Sequence, residues 1–442
     1  MTRKVKILLS LVVLIAAALA CDYLPSPGPS DDAGDAIATS VAATLAAAES
    51  SAPDEGSPPE SLEPEAPAVL KVAFVKDGDA WYWEEGTAPV SLTALGDVVE
   101  AQISNDGQVI ALVRQYDWNN QEIYAVNSDG SDLRTLVSLA DFSGMVLEPD
   151  AISAVPYRVA WVPGTHILAF NTRLTYEGPG LVLPDELRLV DADSGALSIL
   201  LAPGSGGDFY YSPDGSQIAL STGTLISVVS ADGTSFRDLL TFPMVITYSE
   251  YIYYPRVTWS ADGSYLRAVI PPHDPLADPP EITKIWHLPA DGTPPSSLLN
   301  LSPVPFFQEV PSLSPDLAQA AYLSVVSTGS PPVVDLHIAQ LDGSSDVVYA
   351  SGPYSFSGWS PDNEHFIYTE NGNYPRIGRV GDSPIDFTGV TLMTDLSWVD
   401  EERFLYLNRL TGSWELWLGD LGAPASLIAS TTGDRISFSF VR

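Results

Sequence analysis

Residues 211–233 read YSPDGSQIALSTGTLISVVSADG, and this stretch decides the fold. It opens on a large apolar residue, Tyr211, followed by Ser-Pro-Asp-Gly215. Proline presets one turn dihedral, and Asp-Gly supplies the positive φ that matches strand twist, so the chain reverses here. Gln217-Ile-Ala-Leu-Ser221 is short, apolar and bounded by turn residues, which describes a buried strand. A third strand runs into a second reversal at Asp232-Gly233. No part of the stretch carries helical spacing.

The same signature recurs along the chain. Its instances are Ile103-Ser-Asn-Asp-Gly107, Trp161-Val-Pro-Gly164, Trp259-Ser-Ala-Asp-Gly263, Leu313-Ser-Pro-Asp316, Trp359-Ser-Pro-Asp362 and Trp398-Val-Asp-Glu401. With Tyr211 in its place, successive anchors lie 58, 50, 48, 54, 46 and 39 residues apart. Second turns follow at Asp129-Gly130, Ser194-Gly195, Asp291-Gly292 and Asp342-Gly343, and a fourth short strand such as Leu133-Arg-Thr-Leu-Val137 closes each unit. Four antiparallel strands repeated at this period describe the blades of an all-β propeller. A blade cannot bury both faces alone, so the anchor residue belongs between neighbouring blades. The ends complete the ring. Leu70–Val75, Trp81–Trp83 and Val90–Leu92 supply second, third and fourth strands with no local first strand, and Arg435–Val441 has the length and alternation to supply it. Seven anchors and this composite make eight blades, with seven as the alternative if the weakest repeat is not a blade. Closure removes an exposed edge.

Ser-Pro-Asp-Gly, an Ile-Ala-type strand and a later Asp-Gly turn resemble the repeat of TolB-like propellers, which prolyl-oligopeptidase-type propellers share. The resemblance covers 69–442 and implies fold rather than activity. Compared with the oligopeptidase-type enzymes, no hydrolase domain is expected beside this propeller.

Ahead of the propeller lie two other segments. Arg3, Lys4 and Lys6 precede a 14-residue apolar run, Ile7–Ala20. That is the length of a signal h-region and short of the roughly 20 residues that span a bilayer. It ends at Ala18-Leu19-Ala20-Cys21, which resembles a bacterial lipobox, although Ala18 stands where Leu is usual. Cys21 is the only cysteine, so no intrachain disulfide exists. The resemblance implies removal of residues 1–20, a lipid on Cys21 and a protein held on a membrane outside the cytoplasm. Cleavage by an ordinary signal peptidase and an uncleaved anchor are the competing readings. Residues 21–67 then form a lipidated, acidic, Pro/Ser/Ala-rich tether, disordered by composition, and 68–442 form the propeller. Aromatic residues at 10% and apolar ones at 45% suffice for its core.

The net charge of −36, with 56 acidic and 20 basic residues, excludes a phosphate-backbone partner, so nucleic acid is not expected. Long connections, at Asp141–Tyr157, Arg173–Glu186, Pro243–Tyr254 and Pro271–Glu281, fall on one side of the disc. Loops on a rigid scaffold are where binding resides. Tyr116 and Trp118 sit in one loop and Tyr248, Tyr251, Tyr253 and Tyr254 in another, suited to protein, peptide or glycan unless they pack beneath their own loops. Counting back three residues from each anchor gives Glu100, Arg158, Asp208, Arg256, Val310, Phe356 and Asp395, which belong near the channel mouth. There Arg158, Asp208 and Arg256 are expected within salt-bridging reach of one another, as a ligand site or as a self-neutralising network.

Catalytic signatures are absent: no G-x-S-x-G, no H-E-x-x-H, no phosphate-binding loop. The five histidines, His166, His273, His287, His337 and His365, do not pair at metal spacing, and Asp191-Ala-Asp193-Ser-Gly195 reads as a hairpin turn, so no metal or cofactor is expected. The expectation is a binding or scaffolding module. A carbohydrate-active hydrolase or lyase using scattered carboxylates at the channel mouth is the alternative, and a purely structural role the third.

Overall fold

The computed structural model describes residues 69–442, apart from 147, 179–181, 302–308, 330, 373, 388, 389, 391 and 434. Cys21, the signal segment and the tether lie outside the described residues.

The chain forms eight four-stranded antiparallel sheets, the blades of a propeller. Blade 1 is composite: Ser437–Val441 pairs with Lys71–Lys76, from Lys71↔Val441 to Val75↔Ser437, and Asp79–Glu84 and Val90–Ser91 complete it. Blades 2 to 8 are continuous, at 98–137, 153–201, 208–241, 257–301, 312–352, 354–386 and 393–431. The C-terminal strand closes the ring as the sequence led us to expect.

The recurrent Ser-x-Asp turn has one chemistry. In blades 2, 4, 5 and 6 the hydroxyls of Ser104, Ser212, Ser260 and Ser314 donate to Asp106, Asp214, Asp262 and Asp316 at 2.6 Å. Each Asp accepts the backbone N–H two residues on at 3.0 Å. Each serine oxygen accepts a second N–H from the start of the next strand, at 2.9–3.1 Å. These serines are buried, so a hydroxyl that donates to the Asp and accepts the strand N–H closes the turn without an orphaned polar atom. The bonds stabilise the charged carboxylate: the Ser260 hydroxyl first, then the Ser264 N–H, hold Asp262 down at about 2.

The anchors lie between blades. The indoles of Trp161, Trp259 and Trp359 donate to the carbonyls of Gln102, Tyr210 and Ser312 at 3.0, 2.8 and 3.2 Å, each on the first strand of the preceding blade. Trp398 occupies the same position but its buried Nε1 has no partner among the described residues. Its strand, Met393–Trp398, bulges between Thr394 and Ser397, with Asp395 at φ 50°. Between blades run apolar clusters, one for each interface; Leu70, Val72, Phe74, Leu405, Leu407 and Ile436 form the one at the seam of blades 8 and 1.

Two connections differ from expectation. Ser153–Trp161 and Ile167–Thr175 extend as paired strands into stretches read from sequence as loop. Helix α1, Leu139–Ser143, lies where no helical pattern was expected, and local chemistry explains it. Ser138 caps it and Asp141 returns the bond to the Ser138 N–H, while Phe142 is buried.

The candidate binding face and the channel mouth

An up-and-down blade puts its strand 1–2 and 3–4 turns on one side of the disc and its other connections on the opposite side. The Lys71 side chain lies against Gly107, in the strand 1–2 turn of blade 2. Residue 69 therefore enters on the tight-turn face, and the long connections crowd the other.

On that loop face, 242–256 and 271–282 are zipped together. The Ile246 N–H donates to the His273 carbonyl at 2.8 Å, His273 Nδ1 meets the Met244 carbonyl at 2.6 Å, and the Tyr248 hydroxyl donates to Asp274 at 2.7 Å. The result is a ledge from which Met244, Tyr248, Tyr251, Ile252, Leu276 and Ile282 project, 40–62% exposed. The neighbouring tyrosines turn inward instead. Tyr253 is half-buried in the channel wall, and Tyr254 donates to both Asp185 oxygens at 2.9 Å. Trp118 is 72% exposed, at the tip of the hairpin formed by Val109–Asp117 and Asn120–Asn127. Tyr116, on the same hairpin, is tied to Glu122 at 2.6 Å with the Arg114 guanidinium 4.9 Å from its ring.

The channel mouth is built on strand alternation. Val257 and Trp259 are buried between blades, so Arg256 and Thr258 face the channel side, where both are exposed. One blade earlier, Asp208 and Tyr210 occupy the equivalent positions. Arg158 Nη1 lies 3.5 Å from Asp208, its guanidinium 4.4 Å from the centre of the Tyr210 ring, and the Tyr210 hydroxyl donates to Asp208 at 2.7 Å. Burial, then Asp208, raise the Tyr210 pKa, against the pull of Arg158 and Arg256. The expected triple cluster is thus only partly formed: Arg158 and Asp208 pair, while Arg256 makes no ion pair among the described residues. Across the channel, Arg435 Nε pairs with Asp395 at 2.9 Å.

Arg256 lines a cavity of about 540 Å³ with Tyr253, Tyr254, Thr258, Val310, Ser312 and Trp359, and no carboxylate lines it among the described residues. Beside Val310 stands Glu309, which sequence reading missed. Burial pushes its carboxyl up to about 7, although Oε1 accepts the Phe356 N–H at 2.8 Å. Counting back three residues from Leu313 lands on Val310, one position short of the acid.

Among the histidines, His166 ties one blade to the next. His166 bridges Asp106 of blade 2 and Asp193 of its own blade at 3.0 Å each. Burial alone would lower its pKa; the two carboxylates outweigh that and raise it. Asp191 accepts the N–H groups of Asp193 and Ser194, as a turn residue does. Among the described residues no three His, Cys, Asp or Glu side chains could hold a metal ion.

No family and no curated protein matches the sequence. Solved structures do. Dipeptidyl peptidase 4 of Porphyromonas gingivalis aligns with a TM-score of 0.51 at 9% identity, over 80% of this chain and 56% of its own. A prolyl endopeptidase aligns at 0.50 and 12%, over 77% and 50%. TolB from Acinetobacter baumannii aligns at 0.32 and 17%, over 62% and 61%. The likeness is one of fold. The chain spans about half the length of the two peptidases it matches.

Proposed function

We propose that this protein is a membrane-anchored binding module outside the cytoplasm, which recognises a polypeptide through its loop-rich face; a glycan is the other ligand class that exposed aromatics suit. The ledge carries the reading. Six exposed large apolar side chains on two zipped loops are more than the scattered singles a solvated surface tolerates, and Met, Ile, Leu and Tyr suit a protein partner. Trp118 adds a second exposed aromatic contact. The entry of residue 69 on the tight-turn face supports the anchoring half. A tether from a lipid on Cys21 would join the disc on the face opposite the ledge and leave the ledge uncovered.

Two experiments test this. Cys21→Ser should release the protein from membranes or stall it as a precursor; a variant that stays in the membrane fraction at mature size refutes the anchor. For the face, pull-downs from envelope extract compare wild type with Tyr251→Ser/Leu276→Ser. Loss of a specific partner with the fold intact supports the ledge, and identical captures overturn it.

A further inference from the structure

Arg256 stands apart from the other cations at the channel mouth. Arg158 is held by Asp208 and Arg435 by Asp395, whereas Arg256 has neither an ion pair nor a hydrogen bond among the described residues. The chain has 56 acidic residues to 20 basic ones, so a carboxylate for each arginine is easily supplied. At this position none is.

The wall around it is built in keeping. Alternation along Val257–Trp259 sends Arg256 and Thr258 to the cavity side. Val269, Val310, Pro311 and Trp359 supply an apolar part of that wall, and Tyr253, Tyr254, Ser312 and Ser314 lie among its polar residues. At about 540 Å³ the cavity falls in the range of small-molecule sites. A guanidinium beside apolar walls makes stronger charge-assisted hydrogen bonds than one in open water, and no lining carboxylate among the described residues competes for it.

We propose that this cavity binds a carboxylate bearing a short apolar tail, with the carboxylate on Arg256 and the tail along Val310, Pro311 and Trp359. The site is distinct from the outer ledge and goes beyond the loop-face reading. Two sources share the chemistry: a free organic acid, and the free C-terminus of a peptide.

Calorimetry on the full chain in mild detergent tests it with 3-phenylpropionate, its amide, N-acetyl-Ala-Ala-Phe and the amide of that peptide. At least one carboxylate should bind with Kd below about 1 mM, and its amide about tenfold or more weaker. The tighter carboxylate identifies the source. Arg256→Gln should erase the difference between acid and amide and Arg256→Lys keep part of it. Arg379→Gln, on the exposed rim, should bind as wild type does, with circular dichroism confirming the fold of each variant. Equal binding of acid and amide, wild-type binding by Arg256→Gln, or no saturable binding of either carboxylate below about 1 mM overturns the proposal.

Discussion

Removal of residues 435–442 should open the ring, and the structure sets the size of the effect. The deletion takes away the whole first strand of blade 1, Ser437–Val441, and its pairing with Lys71–Lys76. Ile436 is 1% exposed in the cluster that joins blades 8 and 1, and Phe438 and Phe440 pack against that cluster. Truncating a buried Ile to Ala costs about 2–5 kcal/mol and each half-buried Phe about 2–3 kcal/mol, so even the low end of the three together is about 6 kcal/mol. Polar ties go as well: Ser439 Oγ accepts the Ile103 N–H at 2.8 Å, Arg442 pairs with Asp400 at 3.0 Å, and Arg435 with Asp395. A domain is stable by only about 5–15 kcal/mol. The truncated protein should therefore lack a cooperative urea transition, or show one at a far lower midpoint, when followed by tryptophan fluorescence. Graded controls belong beside it. Ser439→Ala should cost about 1 kcal/mol for one hydrogen bond, and Phe440→Ala, half-buried, about 2–3 kcal/mol. A synthetic peptide of residues 435–442 should restore part of the transition in trans. An unchanged midpoint and slope in the truncated protein would refute the clasp.

Further outcomes follow from the turns and from Glu309. Ser212→Ala leaves the Gln217 N–H without its partner and takes one of two donors from an Asp214 oxygen, and should cost about 1–3 kcal/mol by urea unfolding; a change within error would mean that water replaces the hydroxyl. The carboxyls of Asp106, Asp214 and Asp262 are lower in the folded protein than their ordinary value. Their contribution is thus present above about pH 4 and lost as pH falls, for Asp262 towards about 2. Thermal melts from pH 5 to 2 should slope steeply in wild type and less in Ser260→Ala, and parallel curves would refute the turn as the source. Glu309 has the opposite sign. Its folded carboxyl titrates near 7 against an ordinary 4.5, so stability should fall as pH rises through that window, by up to about 3 kcal/mol. Glu309→Gln keeps an acceptor for the Phe356 N–H and should flatten that slope; a variant with the wild-type pH profile would place the burial elsewhere.

The blades were legible because their defining chemistry is local. Ser212, Asp214 and Gln217 span six residues, and their bonds need no knowledge of the rest of the chain. The clasp was legible for a related reason: Lys71–Lys76 without a first strand implies a missing partner, and only Arg435–Val441 had its length and pattern. What escaped depends on contacts between distant segments. Arg158 and Asp208 are 50 residues apart, and the same count that paired them gave no reason to leave Arg256 alone. The ledge needs 242–256 to meet 271–282 through His273 and Asp274, neither of which stands out in sequence. Tyr253 and Tyr254 could not be told from Tyr248 and Tyr251 until the backbone sent two inward and two outward.

Those failures are not scattered at random over the molecule. On the tight-turn face the ties between blades recur. Arg134 of blade 2 and Arg237 of blade 4 both donate to the alanine carbonyl in the second turn of the next blade, at Ala192 and Ala290. His166 reaches Asp106 in the turn before it, and Asn363 accepts the Asp316 N–H in the same sense. Repetition of residues there is repetition of one task, holding blades at a fixed spacing. On the loop face one tie recurs, from Asn171 to the Gly207 carbonyl and from Ser221 to that of Pro255, whereas Tyr254 to Asp185 and Glu309 to the Phe356 N–H follow no such series among the described residues. A position freed from the repeat is free to differ for another reason, and strain or an unmet charge there is not explained by ring closure. Arg256 meets that description. It occupies a repeated position at which Arg158, Asp208 and Asp395 are ion-paired, on a ring that closes without it, and its guanidinium lines a cavity instead of a seam.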